Sequence, residues 1–446
     1  MIKYLLILGC LLVRSGCVRQ EISKQMSVNP HVAQEREFKL EQLFYSRTDL
    51  RGGIQSGNDV FREVSGYPWQ DLIGAPHKVI RHPDMPKGAF CLIWSRLKEG
   101  KATSAYVKNR AIDGRYYWVL ANMTPIDGGY FSVRLKPTTD LLKTVEGIYA
   151  ELLALEKDGD LSPEDGAAWL TDNIRGLGFK DYESFAGAAL NREVVSRAAA
   201  MDLSSTQELT RYQDIAKSVD RVGESIAQVE LTFRTIRLVP SNMRIIATRL
   251  EPTGGPISTI AVNYAIMARE MEHWVQTFLK SEDSGFTQMS QATNQALFQT
   301  AAATLQAEVA ANMHTDTEER DGHDPELEAE TLDRLAERYR AEALAALSRL
   351  AASAARMERD QAEMKRYVTG LASTRTLCRV ENARLDEDGG SLEGIVDSLD
   401  RFQNVIDAEL TEMSDEIRKI QNQIDTLRPR DNWRERSRDM APRPAA

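Results

Sequence analysis

Hydrophobic and polar positions follow two different periods along this chain, and the change falls near residue 137. From about Phe44 the apolar runs are short and broken by glycine, the signature of strands and tight turns. Leu50 to Asn58 reads as a hairpin of two short strands around Gly52-Gly53. Asp59 to Ser65 reads as one or two helical turns with Val60, Phe61 and Val64 on one side, ended by Gly66-Tyr67-Pro68. Trp69 to Ile73 starts another short helix that Gly74 stops. Pro83 and Pro86 forbid a regular helix through Arg81 to Met85, whereas Lys87 to Lys98 carries Phe90, Ile93, Trp94 and Leu97 at helical spacing. Thr103 to Arg110, Arg115 to Thr124 and Gly129 to Leu135 alternate as three strands, joined at Asp113-Gly114 and Asp127-Gly128-Gly129. The pattern predicts one α+β domain over residues 44–137, an antiparallel sheet with short helices on one face and room for a ligand between the layers.

Beyond residue 137 the pattern is helical. Leu141 to Leu155 is amphipathic, residues 161–200 suggest short helices, and 138–205 is a connecting region. Ile215, Val222, Ile226, Val229, Phe233, Ile236, Met243, Ile246 and Leu250 keep the three-and-four spacing of a coiled coil. The spacing resumes at Ile257, Ile260, Tyr264, Met267, Met271, Trp274 and Phe278, so 206–312 is expected to be a helical hairpin with its tip at Pro252 to Pro256 and a kink at Pro240. An acidic linker at 313–328 separates it from a second long helical hairpin at 329–428. The second hairpin holds the cleanest heptad seam, Leu392, Ile395, Leu399, Phe402, Ile406, Leu410, Met413, Ile417, Ile420, Ile424 and Leu427. Such a seam must be buried against another helix, within the chain or across a dimer. The basic tail 429–446 is expected to be disordered. The expected fold class is therefore an α+β domain followed by an all-α, long-helix coiled-coil or bundle region.

At 446 residues, 42% hydrophobic and 27% charged, the chain has the composition of an ordinary folded protein of two or three domains. A net charge of -10 argues against a nucleic-acid binder, which needs a basic face for phosphates. Cys10, Cys17, Cys91 and Cys378 lack metal-site spacing, His314 and His323 lack helix-spaced partners, and Asp158 to Asp165 lacks the ligand spacing of a calcium loop. Lys3 and the apolar run Tyr4 to Val13 look like a signal peptide, and Arg14-Ser15-Gly16-Cys17 approaches a lipobox with Arg14 out of pattern. The run is too short to span a bilayer, and Met26 offers an alternative start. Residues 1–25 are read as an upstream extension or signal-like segment; a start at Met26 implies a cytoplasmic protein, the lipobox a membrane-anchored lipoprotein. No Ser/His/Asp, Cys/His, P-loop or kinase motif occurs, so no enzyme activity is expected.

The order Asp49-Leu50, Asn58-Asp59, Val64-Ser65-Gly66-Tyr67, Leu72-Ile73-Gly74, Pro76-His77, Arg81-His82-Pro83-Asp84-Met85-Pro86, Phe90, Trp94, Val107-Lys108-Asn109-Arg110, Gly114 and Tyr117-Trp118 resembles the PAS domain of bacterial aerotaxis receptors. The resemblance extends weakly back to Met26 through His31. This chain has Thr103 where the family has a tryptophan, and Tyr116 where it has a histidine. The resemblance implies a flavin-binding redox sensor with non-covalent FAD. Arg81 and His82 would then be donors to ring or phosphates, Asn58 and Asn109 amide partners of the ring edge, and Phe90, Trp94 and Tyr117 its walls. Asp84 would hold Arg81 in place. Read without the resemblance, Arg81 with Asp84 is a local ion pair, Phe90 and Trp94 are core residues, Asn58 is a turn residue and His77 is structural.

Asn242 to Arg249, the glycine tip and Ile260-Ala261 weakly resemble the cytoplasmic hairpin of methyl-accepting chemotaxis proteins, with Ile246 and Pro252 where that hairpin carries glutamates. The expected function is a soluble signal transducer relaying a redox or oxygen-linked state through coiled coils in aerotaxis-like signalling. Its expected partners are a second copy in a homodimer and a chemotaxis kinase with its coupling protein. The alternative is a cofactor-free PAS and coiled-coil scaffold for protein-protein interaction.

Overall fold

Strand alternation and glycine turns organise the first part of the chain, and heptads the second; the computed structural model divides into two compact units after Gly178, later than the change of period near residue 137, so the first helices beyond the strands belong with them. The structure describes residues 34–159, 161–203, 206–250, 255–313, 324–384 and 390–428. The signal-like segment, the Met26 to His31 stretch, Pro252 to Gly254 at the hairpin tip, His314, His323 and the basic tail lie outside the described residues.

In the first unit, β1 (Phe44–Asp49), β2 (Ile54–Gly57), β3 (Thr103–Arg110), β4 (Tyr116–Ile126) and β5 (Gly129–Leu135) form a five-stranded sheet in the order β2-β1-β5-β4-β3. Neighbours are antiparallel throughout. Leu50 to Gly53, expected to be one arm of the first hairpin, is instead its turn. The Asp49 carboxylate accepts from the backbone N–H groups of Arg51 and Gly53 at 2.8 Å each, and Gly52 takes a positive φ of 81°. The first arm is therefore the more apolar Phe44–Asp49.

Between β2 and β3 run α1 (Asp59–Ser65), α2 (Trp69–Leu72), a 3-10 turn (His77–Ile80) and α3 (Lys87–Lys98). Pro86 precedes α3 and offers no side-chain cap. The Glu156 carboxylate takes over that role, accepting from Lys87 N and Gly88 N at 2.7 Å each. Glu156 belongs to α4 (Leu141–Lys157), which is followed by α5 (Pro163–Gly176). A Cβ on Gly88 would lie 2.6 Å from the Gly166 carbonyl carbon, so this glycine lets α3 and α5 meet backbone to backbone.

Directly paired residues share a face of a sheet. The registers Phe44↔Arg134, Ala121↔Arg134, Ala105↔Ala121 and Asn109↔Tyr117 place one set together. Thr103, Met123, Ser132 and Ser46 form a second row across the same face. Arg134 is 5.5 Å from the ring centre of Phe61 of α1, so this inner face is the one turned to the short helices. The opposite, outer face carries Tyr106, Lys108 and Trp118. Helix α4 covers part of it, with Tyr149 Oη donating to the Tyr106 carbonyl at 3.3 Å and its ring 6.4 Å from that of Trp118.

In the second unit, α6 (Tyr182–Ala200), α7 (Thr206–Ile236), α8 (Val239–Leu250), α9 (Pro256–Trp274), a π-helical stretch (Val275–Lys280), α10 (Gly285–Met313), α11 (Pro325–Arg384) and α12 (Gly390–Leu427) follow. Arg237 and Leu238 form a turn between α7 and α8, so the chain breaks just before Pro240 rather than bending through it. The heptad residues of both long segments enter one core. Ile215, Val222, Val229, Met243, Tyr264, Leu399, Ile406, Leu410, Met413 and Ile420 belong to the same buried cluster. Phe233 and Phe402 meet edge to face at 5.2 Å, and Arg221 pairs with the buried Glu416 at 3.0 Å. The seam of α12 is thus covered from within the chain. Arg197, 1% exposed, is held by a two-pronged pair with Glu308 at 2.8 and 2.7 Å.

Candidate functional site

The Arg81 to Pro86 stretch crosses the edge of the sheet, where Arg81 forms an isolated bridge with Asn109 and the His82 N–H donates to the Lys108 carbonyl. Successive side chains of an extended segment point to opposite sides, and the motif divides accordingly. Arg81 stacks on the Phe90 ring at 3.8 Å and donates through Nη2 to the Met85 and Pro86 carbonyls at 3.0 and 3.2 Å. Burial pulls its pKa down, against the opposing field of Glu156. Asp84 does not hold it. The Asp84 carboxylate pairs with Lys108 at 3.0 Å and approaches His82 Nδ1 at 3.4 Å. Desolvation raises the Asp84 pKa, but the Lys108 hydrogen bond and charge outweigh it and keep the group below the usual carboxylate range.

His82 is buried, and its Nδ1 accepts from the Asp84 N–H at 3.1 Å. A neutral ring whose Nδ1 accepts carries its proton on Nε2, and that atom is buried without a partner among the described residues. Desolvation, together with Lys108, lowers the His82 pKa and keeps the ring neutral. Its ring lies 6.2 Å from Tyr116, and Lys108 Nζ sits 4.5 Å over the same tyrosine. His82 and Asp84 therefore belong with the outer face, and Arg81 with the helix layer.

Phe90 and Trp94 stand one turn apart on α3, and both are half-buried. Trp94 meets Tyr130 edge to face at 5.2 Å, and a Cβ on Gly52 would touch its ring at 3.4 Å. Asn109 is buried at the end of β3. These three, with Arg81, are the sequence-derived site residues that the fold brings to the inner layer. Asn58 and Tyr117 serve otherwise. Asn58 caps α1, its Oδ1 accepting from Phe61 N and Tyr45 N at 3.3 Å each while Nδ2 donates to the Leu43 carbonyl at 3.0 Å. Tyr117 is fully buried in an aromatic group, 6.4 Å from both Phe38 and Phe44, and burial pushes its hydroxyl pKa up.

The largest feature of the inner layer is one the sequence pattern did not single out. Arg134, 3% exposed, donates to Ser46 Oγ at 2.9 Å and the Ser132 carbonyl at 3.3 Å, and meets His77 Nε2 at 2.6 Å. Phe44 and Phe61 flank it at 5.7 and 5.5 Å. No carboxylate pairs with it among the described residues. Burial lowers its pKa to about 10, and burial with the adjacent guanidinium lowers that of His77 to about 3. Near it the hydroxyls of Ser132 and Tyr117, and two strands away on the same face that of Thr103, are buried without partners among the described residues. Buried polar groups in this state cost free energy unless something else meets them. Arg134 escapes sequence reasoning because its alternation with Phe131, Val133 and Leu135 reads as the solvent side of a half-buried strand, whereas β5 is buried on both faces.

Residues 55–133 match the family described as PAS fold. The chain is 43% identical to the aerotaxis receptor of Escherichia coli (strain K12) over 135 residues, 29% of this chain and 27% of the receptor. It is 27% identical to the bacterioopsin transcriptional activator of Halobacterium salinarum over 79 residues, 18% of this chain and 12% of that protein. The chain thus spans about a quarter or less of the length of these relatives. Among solved structures, the light state of the Aureochrome1 LOV blue-light photoreceptor aligns with 30% of this chain and 98% of its own at 21% identity and a TM-score of 0.21. The blue-light activated histidine kinase EL346 of Erythrobacter litoralis aligns with 54% of this chain and 73% of its own at 11% identity and a TM-score of 0.21. The antiparallel sheet and short helices of the N-terminal unit are those of a PAS domain, similar in sequence to the aerotaxis receptor, and a long helical region follows it.

Proposed function

We propose that this chain is a non-catalytic signal transducer whose PAS domain senses a redox or oxygen-linked state through bound FAD. The helical unit would relay the state to a chemotaxis-type kinase and coupling protein. The observation that carries this reading is Arg134, a buried guanidinium with no carboxylate partner among the described residues, on a sheet face that also carries the unpartnered hydroxyls of Thr103, Ser132 and Tyr117. The 43% identity to an aerotaxis receptor supports the direction of the signal.

The residues present fit a flavin. Phe90 and Trp94 offer flat apolar walls, and Arg81 and Asn109 sit where they can orient a polar ring edge. Bound FAD would supply a redox couple at its ring. Arg134 would hold positive charge in the inner layer, so negative charge arriving there would compete for its bonds to Ser46 and His77. Relief of those bonds would free the 3-10 turn carrying His77, a packing change of the kind that moves attached helices.

The test is the visible absorption spectrum of the purified full chain and of the supernatant after heat release, with FAD titration of any colourless preparation. The expected result is flavin absorbance near equimolar, lowered in Trp94→Ala and Arg134→Met proteins that keep their far-ultraviolet dichroism. A colourless, folded protein that does not quench added FAD would refute the flavin. It would favour a cofactor-free interaction scaffold, a reading supported by the close packing of Phe44 on Phe61 at 6.2 Å.

A further inference from the structure

In the helical unit, α7 and α8 leave an apolar stripe uncovered. Leu231 of α7, Leu238 of the turn and Ile245 of α8 are 57%, 63% and 55% exposed, and each stands seven residues from the next. The opposite sides of the same helices are buried: Val229 and Phe233 of α7 and Val239 and Met243 of α8 enter one cluster. The stripe therefore looks away from that core on both sides of the turn. Seven-residue spacing is that of a seam between helices, and this seam has no helix on it among the described residues.

The two ends of the stripe differ in charge. Between Leu231 and Leu250 every charged residue is an arginine. Arg234 pairs with Glu230 at 2.6 Å and Arg237 with Glu272 at 3.5 Å, while Arg244 and Arg249 stand exposed on α8. At the α7 end, a groove against α12 is lined by Arg221, Glu224, Ser225, Gln228, Glu409 and Glu412. Arg221 is taken by Glu416 at 3.0 Å, so the remaining carboxylates make this end acidic.

We propose that the stripe is a self-complementary interface on which a second copy of the chain docks antiparallel, with the two-fold axis at Leu238. That axis sets Leu238 of one copy against Leu238 of the other, and Leu231 against Ile245 on either side. Arg249 then falls opposite Ala227, about 4.5 Å along the helix from Glu224 and so within a guanidinium's reach of the acidic groove. Parallel docking would instead set arginines on arginines and glutamates on glutamates. The apolar stripe supplies the attraction, and the charged ends choose the direction. Only about 30 Å of helix meets in each copy, less than a standard interface offers, so the dimer is a reversible one. The inference does not rest on the flavin reading, which concerns the PAS domain.

Sedimentation of the full chain at concentrations from about 1 to about 200 µM tests it. The expected result is a reversible monomer–dimer equilibrium with a dissociation constant on the order of 10 µM. Leu238→Asp, which sets two carboxylates on the axis, should weaken the dimer at least about thirtyfold. Arg249→Glu and Glu224→Arg should each weaken it about three- to tenfold, because the axis repeats every contact. The protein carrying both changes exchanges the charges across the interface and should dimerise as the parent does. All three side chains are exposed, so the variants are expected to keep the parent's helical dichroism. A protein monomeric throughout the range overturns the proposal. So does a Leu238→Asp protein that dimerises like the parent, or a charge exchange that fails to restore what the single changes lose.

Discussion

Replacing His77 by Gln should flatten the acid limb of the PAS domain's stability. The His77 Nε2 lies 2.6 Å from an Arg134 nitrogen that donates, so the imidazole is neutral and accepts. Protonating it would set two cations side by side in the interior, and desolvation with the Arg134 field lowers its pKa from 6.5 to about 3. Above pH 6.5 neither the folded nor the unfolded chain binds this proton, and the group costs nothing. Below 6.5 the unfolded chain binds it and the folded chain does not, so stability falls as pH falls, by about 1.4 kcal/mol per unit. The loss ends near pH 3, where the folded state protonates too, and totals at most about 5 kcal/mol. Gln keeps an acceptor for Arg134 and has no proton to gain. The assay is urea unfolding followed by tryptophan fluorescence at successive pH values below 6.5 for parent and variant. His82 and the carboxylates contribute to both curves, and their difference isolates His77. The variant should lose less stability by about 1 kcal/mol or more for each unit. Parallel curves would refute the account of a neutral histidine held against a buried guanidinium.

Two further perturbations probe backbone contact and a buried charge. A Cβ on Gly129 would fall 1.8 Å from the Thr48 carbonyl oxygen, a backbone atom that cannot swing away, so Gly129→Ala should cost about 3 kcal/mol or more; a melting temperature unchanged from the parent would contradict the observed strand approach. Glu416 is buried, and although burial raises its pKa, hydrogen bonds from Lys419, Ser218 and Arg221 prevail and hold it at about 2. Its stabilisation of the helical unit is full above the ordinary 4.5 and fades as pH falls towards 2. Its basic partners are exposed, so Glu416→Gln should cost only about 1–2 kcal/mol and make acid unfolding less steep, read by circular dichroism against urea and pH.

Local patterns carried much of the fold. Period-two alternation with Asp113-Gly114 and Asp127-Gly128-Gly129 located the last three strands, because those turns require the positive φ that Gly114 and Gly128 adopt at 90° and 77°. Heptads in the second half announced packed helices, and the motif through Arg81 to Pro86 announced the PAS resemblance. The first hairpin was misplaced because Gly52-Gly53 marks a turn without saying which flank supplies the strand. Of the site residues, Phe90 and Trp94 shared a face by helical spacing alone. Asn58 and Asp84 could not be assigned, since an amide or carboxylate binds whatever donor the fold delivers, here an α1 backbone N–H and Lys108.

What the sequence determined by itself is local: the period of each segment, its turns and breaks, and the apolar stripe it must bury. What only the tertiary structure decided is which distant stripes meet. Arg134 faces Phe44, which stands opposite it in the register of the neighbouring strand, and Arg221 reaches Glu416 across 195 residues of chain. Burial is what gives those meetings their chemistry. An arginine in water is merely charged, whereas the same arginine on the covered face of a sheet, beside a neutral histidine and two unmet hydroxyls, makes a polar site inside an apolar layer.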